Sequence, residues 1–357
     1  MKAWQIQQHG GIEALQLLDL PDPTPGAGQA RVRVQSVGLN HLDIWVRKGV
    51  PGHKFPLPLI PGCDISGIIE SFGPISTEQK AALKSIGVEL GTPVIVNPGV
   101  SCGVCEACLT GFDPLCKHYG ILGETTNGGC ADFVVVPVAN LIARPASITA
   151  LQGAALQIPF VTAWSMVHRK AKVQPGELVL IQAGGSGVSV AAIQMCKMIG
   201  ATVITTVSSP EKAVKAKALG ADYVIDYKKT DFKDEVKKIC QSVGKRGCEV
   251  VIDHVGTDTL SGSMKCMAWG GRLAICGATS GSDFQVDLKQ VFFKNLSIFG
   301  TTMGSKADLI QIVRLIDQGK LKPIVDSEFA MTDLPKAHTR LESRQAFGKV
   351  TCSFSHT

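Results

Sequence analysis

Long apolar runs are missing from this chain. None approaches the ~18 residues that mark a membrane-spanning helix, and the opening MKAWQIQQHGG lacks the apolar segment of a secretory signal. No membrane partner is expected, and a cytoplasmic location is. Charge is also scarce: Asp, Glu, Lys and Arg make up 18% of the residues. The 36 basic and 30 acidic residues leave a net charge of +6, dispersed along the sequence. Such a mild excess gives no reason to expect a nucleic-acid partner. The 38 glycines show no collagen-like period and fall at turns. What the chain does have is apolar content, 45%, enough for sizeable cores and too much for a disordered protein. Its 357 residues suggest about two domains.

The cysteine content is high, twelve residues. Without a secretory signal these are expected to be reduced thiols, so metal binding is considered before disulfides. Four lie in PGVSCGVCEACLTGFDPLCKHYG, where Cys102, Cys105, Cys108 and Cys116 are spaced C-x2-C-x2-C-x7-C. Short gaps let successive thiolates converge, and zinc takes four sulfur ligands tetrahedrally with no open position. One closed structural zinc is the expectation. The alternatives are an iron–sulfur cluster, which usually carries a closing Cys-Pro, or unrelated buried thiols.

From about residue 177 short apolar runs alternate with helical patterns. Strands are expected at 177–183, 202–207, 223–226, 249–253, 272–276 and 297–301. Helices are expected at 188–199, 210–219, 231–243, 260–268 and 287–294. Six strands alternating with five helices imply a Rossmann-type, doubly wound parallel sheet. The first strand runs into Gly184, Gly185, Ser186, Gly187 and Val188, a small-residue loop opening a helix, as phosphate binding requires. Against G-x-G-x-x-G counted from Gly184, Ser186 and Ser189 replace the second and third glycines. The second strand ends at Val207, where an NAD site places an acid for the ribose 2′-hydroxyl. Ser208 and Lys212 follow and suit a 2′-phosphate, so NADPH is expected in preference to NADH. Val255 and Gly277 follow strands four and five, where ligands of open parallel sheets gather.

The zinc loop, the Rossmann half and the stretches HLDIWVRKG, PLIPGCDISGIIESFG, ILGETTNGGCADFVVVP and FGKVTCSF resemble the medium-chain dehydrogenase/reductase superfamily. The resemblance spans essentially the whole chain, within the zinc alcohol dehydrogenase and quinone oxidoreductase branches. It implies an α/β fold with a GroES-like distorted β-barrel catalytic domain at residues 1–151, carrying the zinc lobe at about 97–120. A Rossmann domain follows at 152–302, and residues 303–357 return to the catalytic domain.

The alcohol dehydrogenase branch holds a second, catalytic zinc. Its ligand and relay positions correspond here to Asn40, the Cys63-Asp64 pair, Ile158 and Leu42. Ile158 has no donor and Leu42 has no hydroxyl, so a catalytic zinc is not expected. Asn40 and Asp43 resemble the polar pair of the quinone oxidoreductase branch, which uses NADPH without a catalytic metal. Cys63 sits at a former ligand position and reads as a small apolar residue or a redox-sensitive thiol. Thr162 matches a family threonine near the nicotinamide, and Tyr227 matches a tyrosine by the 2′-phosphate. Lys349, in the closing strand, is grouped with the cofactor contacts. His254 reads as a strand-end residue rather than an acid or base. The expected activity is hydride transfer from NADPH to a quinone, enone or activated carbonyl. The alternatives are a zinc-dependent alcohol dehydrogenase with a rearranged metal site and a non-catalytic nucleotide binder. The resemblance also implies a homodimer or homotetramer.

Overall fold

The computed structural model describes residues 1–354, and the chain divides into two compact units. Unit 1 comprises Met1–Ile158, Ser305–Gly319 and the C-terminal segment from Pro323; unit 2 comprises Pro159–Gly304 and Lys320–Lys322.

Unit 1 opens with β1 (Lys2–Ile6), β2 (Leu15–Asp19), β3 (Gln29–Gly38) and helix α1 (His41–Lys48). It continues through β4 (Asp64–Phe72), α2 (Thr77–Ser85), β5 (Pro93–Val96), β6 (Gly99–Val100), α3 (Glu106–Leu109), β7 (Gly120–Ile121), β8 (Phe133–Pro137), β9 (Leu141–Ala143) and α4 (Ala150–Gly153). β3 shows why a half-buried strand forms here. Ala30, Val32 and Val34 are buried, while the alternating Gln29, Arg31 and Arg33 reach outward.

After α5 (Gln157–Trp164), unit 2 runs β10 (Leu178–Ile181), α6 (Gly187–Ile199), β11 (Thr202–Val207), α7 (Pro210–Ala218), β12 (Tyr223–Asp226), α8 (Phe232–Ser242), β13 (Cys248–Asp253), α9 (Leu260–Cys266), β14 (Met267–Ile275), α10 (Leu288–Phe293) and β15 (Ser297–Gly300). These strands pair in parallel in the order β12-β11-β10-β13-β14-β15. That is the doubly wound order, with the crossover beside β10. All four residues of β10 are buried, as a central parallel strand covered on both faces requires. Each contributes about 1.5–3 kcal/mol by burial. Ser209 caps α7, Pro210 opens it, and Gly200 ends α6 with φ 93°.

The chain returns to unit 1 through α11 (Lys306–Asp317), β16 (Val325–Ala330), α12 (Leu334–Glu342) and β17 (Lys349–Ser353). The main sheet of unit 1 has the order β16-β17-β3-β4-β5-β9, with β8 also on β3. Pairing of β17 with β3 ties the end of the chain to its beginning.

Element boundaries differ from expectation chiefly at α9 and β14. The helix stops at Cys266, and Met267 pairs with Cys248 across a register shift, so Ala268 is extended rather than helical. Outside the lobe, Cys240, Cys248 and Cys266 share one apolar core. Among the described residues no helix is long and apolar enough to cross a membrane.

Candidate functional site

Three constellations carry the chemistry. The first is the cysteine lobe of unit 1. The four Sγ atoms of Cys102, Cys105, Cys108 and Cys116 lie within 4.8 Å of one another. Individual separations are 3.5 Å for Cys105–Cys108 and Cys102–Cys116, and 3.9 Å for Cys102–Cys108. Tetrahedral zinc with Zn–S near 2.3 Å sets its sulfurs about 3.8 Å apart, whereas a disulfide would need about 2.05 Å. The lobe therefore fits zinc. Backbone N–H groups of Cys102 and His118 donate to the Cys116 sulfur at 3.5 and 3.4 Å. Those of Val104 and Cys105 lower the Cys102 thiol to about 6. That favours a Cys102 thiolate, while at Cys105 the pull of the Cys108 N–H is outweighed by the neighbouring thiols and burial, which push that thiol up to about 11.

The second constellation lies where β3, α1, β4 and β17 meet in unit 1. Gly38 ends β3 so close to its neighbours that a Cβ there would stand 1.9 Å from the Ala154 carbonyl oxygen and 2.7 Å from Lys349 Cε. Lys349, 3% exposed, directs its ammonium to Asn40 Oδ1 at 2.5 Å and Asp64 Oδ2 at 2.6 Å. Asn40 Nδ2 also donates to Asp64 Oδ2 at 3.1 Å, and Ile158 N–H donates to Asp64 Oδ1 at 2.9 Å. Asp43 accepts the backbone N–H groups of Asn40 at 2.7 Å and Gly62 at 2.9 Å. Cys63 Sγ lies 3.8 Å from Asp43 Oδ1. Burial pushes the Asp43 carboxyl up to about 6, against the pull of those N–H groups and of Lys349. Burial, with Asp43 and Asp64 beside it, pushes the Cys63 thiol well above its ordinary value, so Cys63 stays a thiol.

Asn40, Asp43 and Cys63 are thus brought together. Lys349, expected among the cofactor contacts, lies with them as their buried cation. Sequence reasoning gave Asp64 no role of its own; its place beside Cys63, after Pro61-Gly62, was the available signal. Thr162 is buried in α5, in the part of that helix that belongs to unit 2.

The third constellation is the loop between β10 and α6. Ala183 takes a left-handed φ of 51°, and a Cβ on Gly184 would lie 2.4 Å from Thr205 Oγ1. The backbone is thereby pressed against β11, where Gly184 N–H donates to Thr206 O at 2.7 Å. Ser186 caps α6, leaving first-turn N–H groups without intrahelical acceptors, a ready site for a pyrophosphate. β11 ends at buried Val207, followed by half-buried Ser208 and Lys212. Tyr227 is exposed, and its N–H donates to Val207 O at 3.1 Å. Asp226, which sequence reasoning missed, is the register partner of Val207. Its carboxylate accepts Lys228 N–H at 3.1 Å and lies 3.7 Å from the Lys229 ammonium. Val255 follows β13, with its N–H on Asp253 Oδ1 at 2.9 Å, and Gly277 follows β14.

Residues 26–146 match the alcohol dehydrogenase GroES-like domain, and residues 187–318 match the zinc-binding dehydrogenase family. A solved NAD-dependent alcohol dehydrogenase is 44% identical, with a TM-score of 0.92 over 99% of both chains. The acryloyl-coenzyme A reductase of Sulfurisphaera tokodaii is 31% identical over 96% of this chain and 97% of its own. The quinone oxidoreductase of Mus musculus is 28% identical over 95% of this chain and 93% of its own. Fold, phosphate loop and relatives together define an NAD(P)H-dependent oxidoreductase. The chain belongs to the medium-chain dehydrogenase/reductase superfamily.

Proposed function

We propose that the chain reduces a quinone, or an activated enone or carbonyl, with NADPH, holding one structural zinc and no catalytic zinc. The observation that carries this reading is the buried Lys349 ammonium. It is bonded to Asn40 and Asp64, which the family resemblance puts at the catalytic-metal positions of zinc alcohol dehydrogenases. A catalytic zinc needs three protein ligands and an open position. Ile158 has no donor side chain, Cys63 is turned to Asp43, and Asp64 is already neutralised by a cation. A second cation beside Asp64 would meet like charge. The donor set does not fit a catalytic zinc.

Bound NADPH supplies the hydride. In quinone or enone reduction the negative charge spreads over a conjugated oxygen, which hydrogen bonds stabilise. The alkoxide of a simple alcohol gains more from a metal. An ammonium carries three N–H donors, and Asn40 and Asp64 take two of those of Lys349. The third, beside the Asn40 amide, is the donor we assign to the substrate oxygen. The acryloyl-coenzyme A reductase and quinone oxidoreductase relatives support this substrate class.

The lack of an acid at Val207 itself, with Ser208 and Lys212 following it in sequence and Tyr227 N–H on its carbonyl, supports NADPH; the neighbouring Asp226 carboxylate is engaged by Lys228 N–H and the Lys229 ammonium. Lys212→Ala should raise KM for NADPH more than for NADH, and equal effects would remove that role. Homodimer or homotetramer formation is supported by β15, an edge strand with Ile298 exposed. The exposed apolar side chains of Trp269, Leu288, Phe292 and Phe293 support it as well.

A second reading, a zinc-dependent alcohol dehydrogenase with a rearranged metal site, is favoured by the 44% identical NAD-dependent alcohol dehydrogenase. A metal count with a substrate screen decides between them. One zinc per chain and NADPH oxidation by quinones and enals that survives gentle chelation is the expected result. Two zincs, with alcohol oxidation abolished by chelation, would overturn the proposal.

A further inference from the structure

Ser186 and Ser189 stand where the dinucleotide fingerprint expects glycine, and both hydroxyls turn to one side chain. His254 Nε2 lies 2.9 Å from Ser186 Oγ and 2.8 Å from Ser189 Oγ. The ring is 8% exposed and directly follows β13.

The hydrogens follow by elimination. Gln182 O can only accept, so the Ser189 hydroxyl hydrogen is committed to it at 2.7 Å. Ser189 Oγ therefore meets the imidazole as an acceptor, and Nε2 must carry a hydrogen. Ser186 Oγ accepts Ser189 N–H at 3.1 Å and sends its own hydrogen to Ser189 Oγ, also at 3.1 Å. One imidazole N–H is thus shared between two hydroxyl oxygens. Burial holds the ring's pKa below its ordinary value, against the nearby Asp253, which keeps it neutral.

A Ser-His-Asp nucleophile is not what this arrangement builds. The Asp253 carboxylate is committed to Val255 N–H, Gly256 N–H, Thr259 Oγ1 and Ser263 Oγ at 2.7–3.3 Å, leaving the ring without an acid to orient it. The network runs instead along the sheet. Gln182 Nε2 donates to Ser263 Oγ at 3.0 Å, and Thr206 Oγ1 donates to Gln182 Oε1 at 2.7 Å. It joins the carboxyl ends of β10, β11 and β13, where dinucleotide phosphates bind in folds of this order.

We propose that His254 is a positioning residue for the dinucleotide pyrophosphate. Its Nε2–H ties Ser186 and Ser189 together and so fixes the cap of α6, aiming the first-turn N–H groups outward. A glycine fingerprint lets the backbone approach by removing side chains. Here two hydroxyls are kept, and the histidine holds them out of the phosphate's way. The effect falls on both NADPH and NADH, because the pyrophosphate is common to them, so it is separable from the role of Lys212.

The experiment is a mutant cycle on the full chain, made of His254→Ala, His254→Gln, and Ser186→Gly/Ser189→Ala with and without each. Dissociation constants for NADPH and NADH are read from nucleotide fluorescence, and KM and kcat from steady-state reduction of one substrate. His254→Ala should weaken both dinucleotides about tenfold, as loss of a buried hydrogen bond does, while kcat at saturating cofactor holds. His254→Gln should recover most of the affinity, because its amide N–H can donate. In the Ser186→Gly/Ser189→Ala background, both His254 substitutions should change affinity less than about twofold. The proposal is overturned by unchanged affinity in His254→Ala, by a fall in kcat at constant affinity, by failure of Gln to rescue, or by full effects persisting without the serines. If His254→Ala does not fold, His254→Gln with and without the serines decides the matter through the same affinity readout.

Discussion

Replacing Asp64 by Asn puts the buried cation of unit 1 to a quantitative test. The carboxylate is fully buried and meets the Lys349 ammonium at 2.6 Å, with the lysine side chain 4% exposed. Its two oxygens accept three donors: Ile158 N–H on one side, Asn40 Nδ2 and Lys349 Nζ on the other. An asparagine keeps one acceptor oxygen and turns an NH2 group toward a donor, leaving the ammonium uncompensated. Breaking a buried pair from one side costs about 3–5 kcal/mol. Unit 1 spans 208 residues, and for that size each kcal/mol moves the melting temperature by roughly 2–4 °C. The expected loss is therefore about 6–20 °C, read by circular dichroism on heating. Lys349→Met should lose a similar amount. The double variant, which carries no charge at either position, should lose about 3 kcal/mol less than the two single losses added together. An Asp64→Asn melting temperature within about 2 °C of the parent would refute the reasoning, as would strict additivity in the cycle.

Two further outcomes follow from the other buried groups. Cys116→Ser should abolish zinc binding by the cysteine lobe and expose the Cys102–Cys116 segment to limited proteolysis; zinc content unchanged in that variant would show that the metal lies elsewhere. Asp43 has a folded pKa raised to about 6 from 3.8, so the native state holds its proton more tightly than the unfolded chain does. Its stabilising share is complete below pH 3.8 and is lost as pH rises through 6. The stability of Asp43→Asn relative to the parent should therefore increase from pH 4 to pH 7, measured by urea unfolding, and a flat difference would contradict that linkage.

The Rossmann half was legible because its signals are local. Buried strands such as Leu178–Ile181 read as unbroken apolar runs, and the Ser209-Pro210 start of α7 is a capping signature. The cysteine lobe was legible for the same reason, since ligand spacing fixes its geometry. The Asn40–Asp64–Lys349 triangle was not, because its members lie 24 and 285 residues apart and meet only through the pairing of β3 with β4 and β17. The partners of His254 were hidden for a related reason: a fingerprint compares residues with glycine and does not say what a substituted serine touches. Ala268 was misplaced because the switch from α9 to β14 depends on strand pairing with Cys248 rather than on any breaker residue.

The turn after β13 carries a consequence of another kind. Asp253, fully buried, holds the amides of Val255 and Gly256 and the hydroxyls of Thr259 and Ser263 with one carboxylate. A turn of this length, left loose, would give up roughly 1–2 kcal/mol of backbone entropy per residue when a ligand ordered it. Here that ordering is completed during folding, before any dinucleotide arrives. Binding at this edge of the sheet then has little disorder to suppress, and the affinity is set by the contacts themselves.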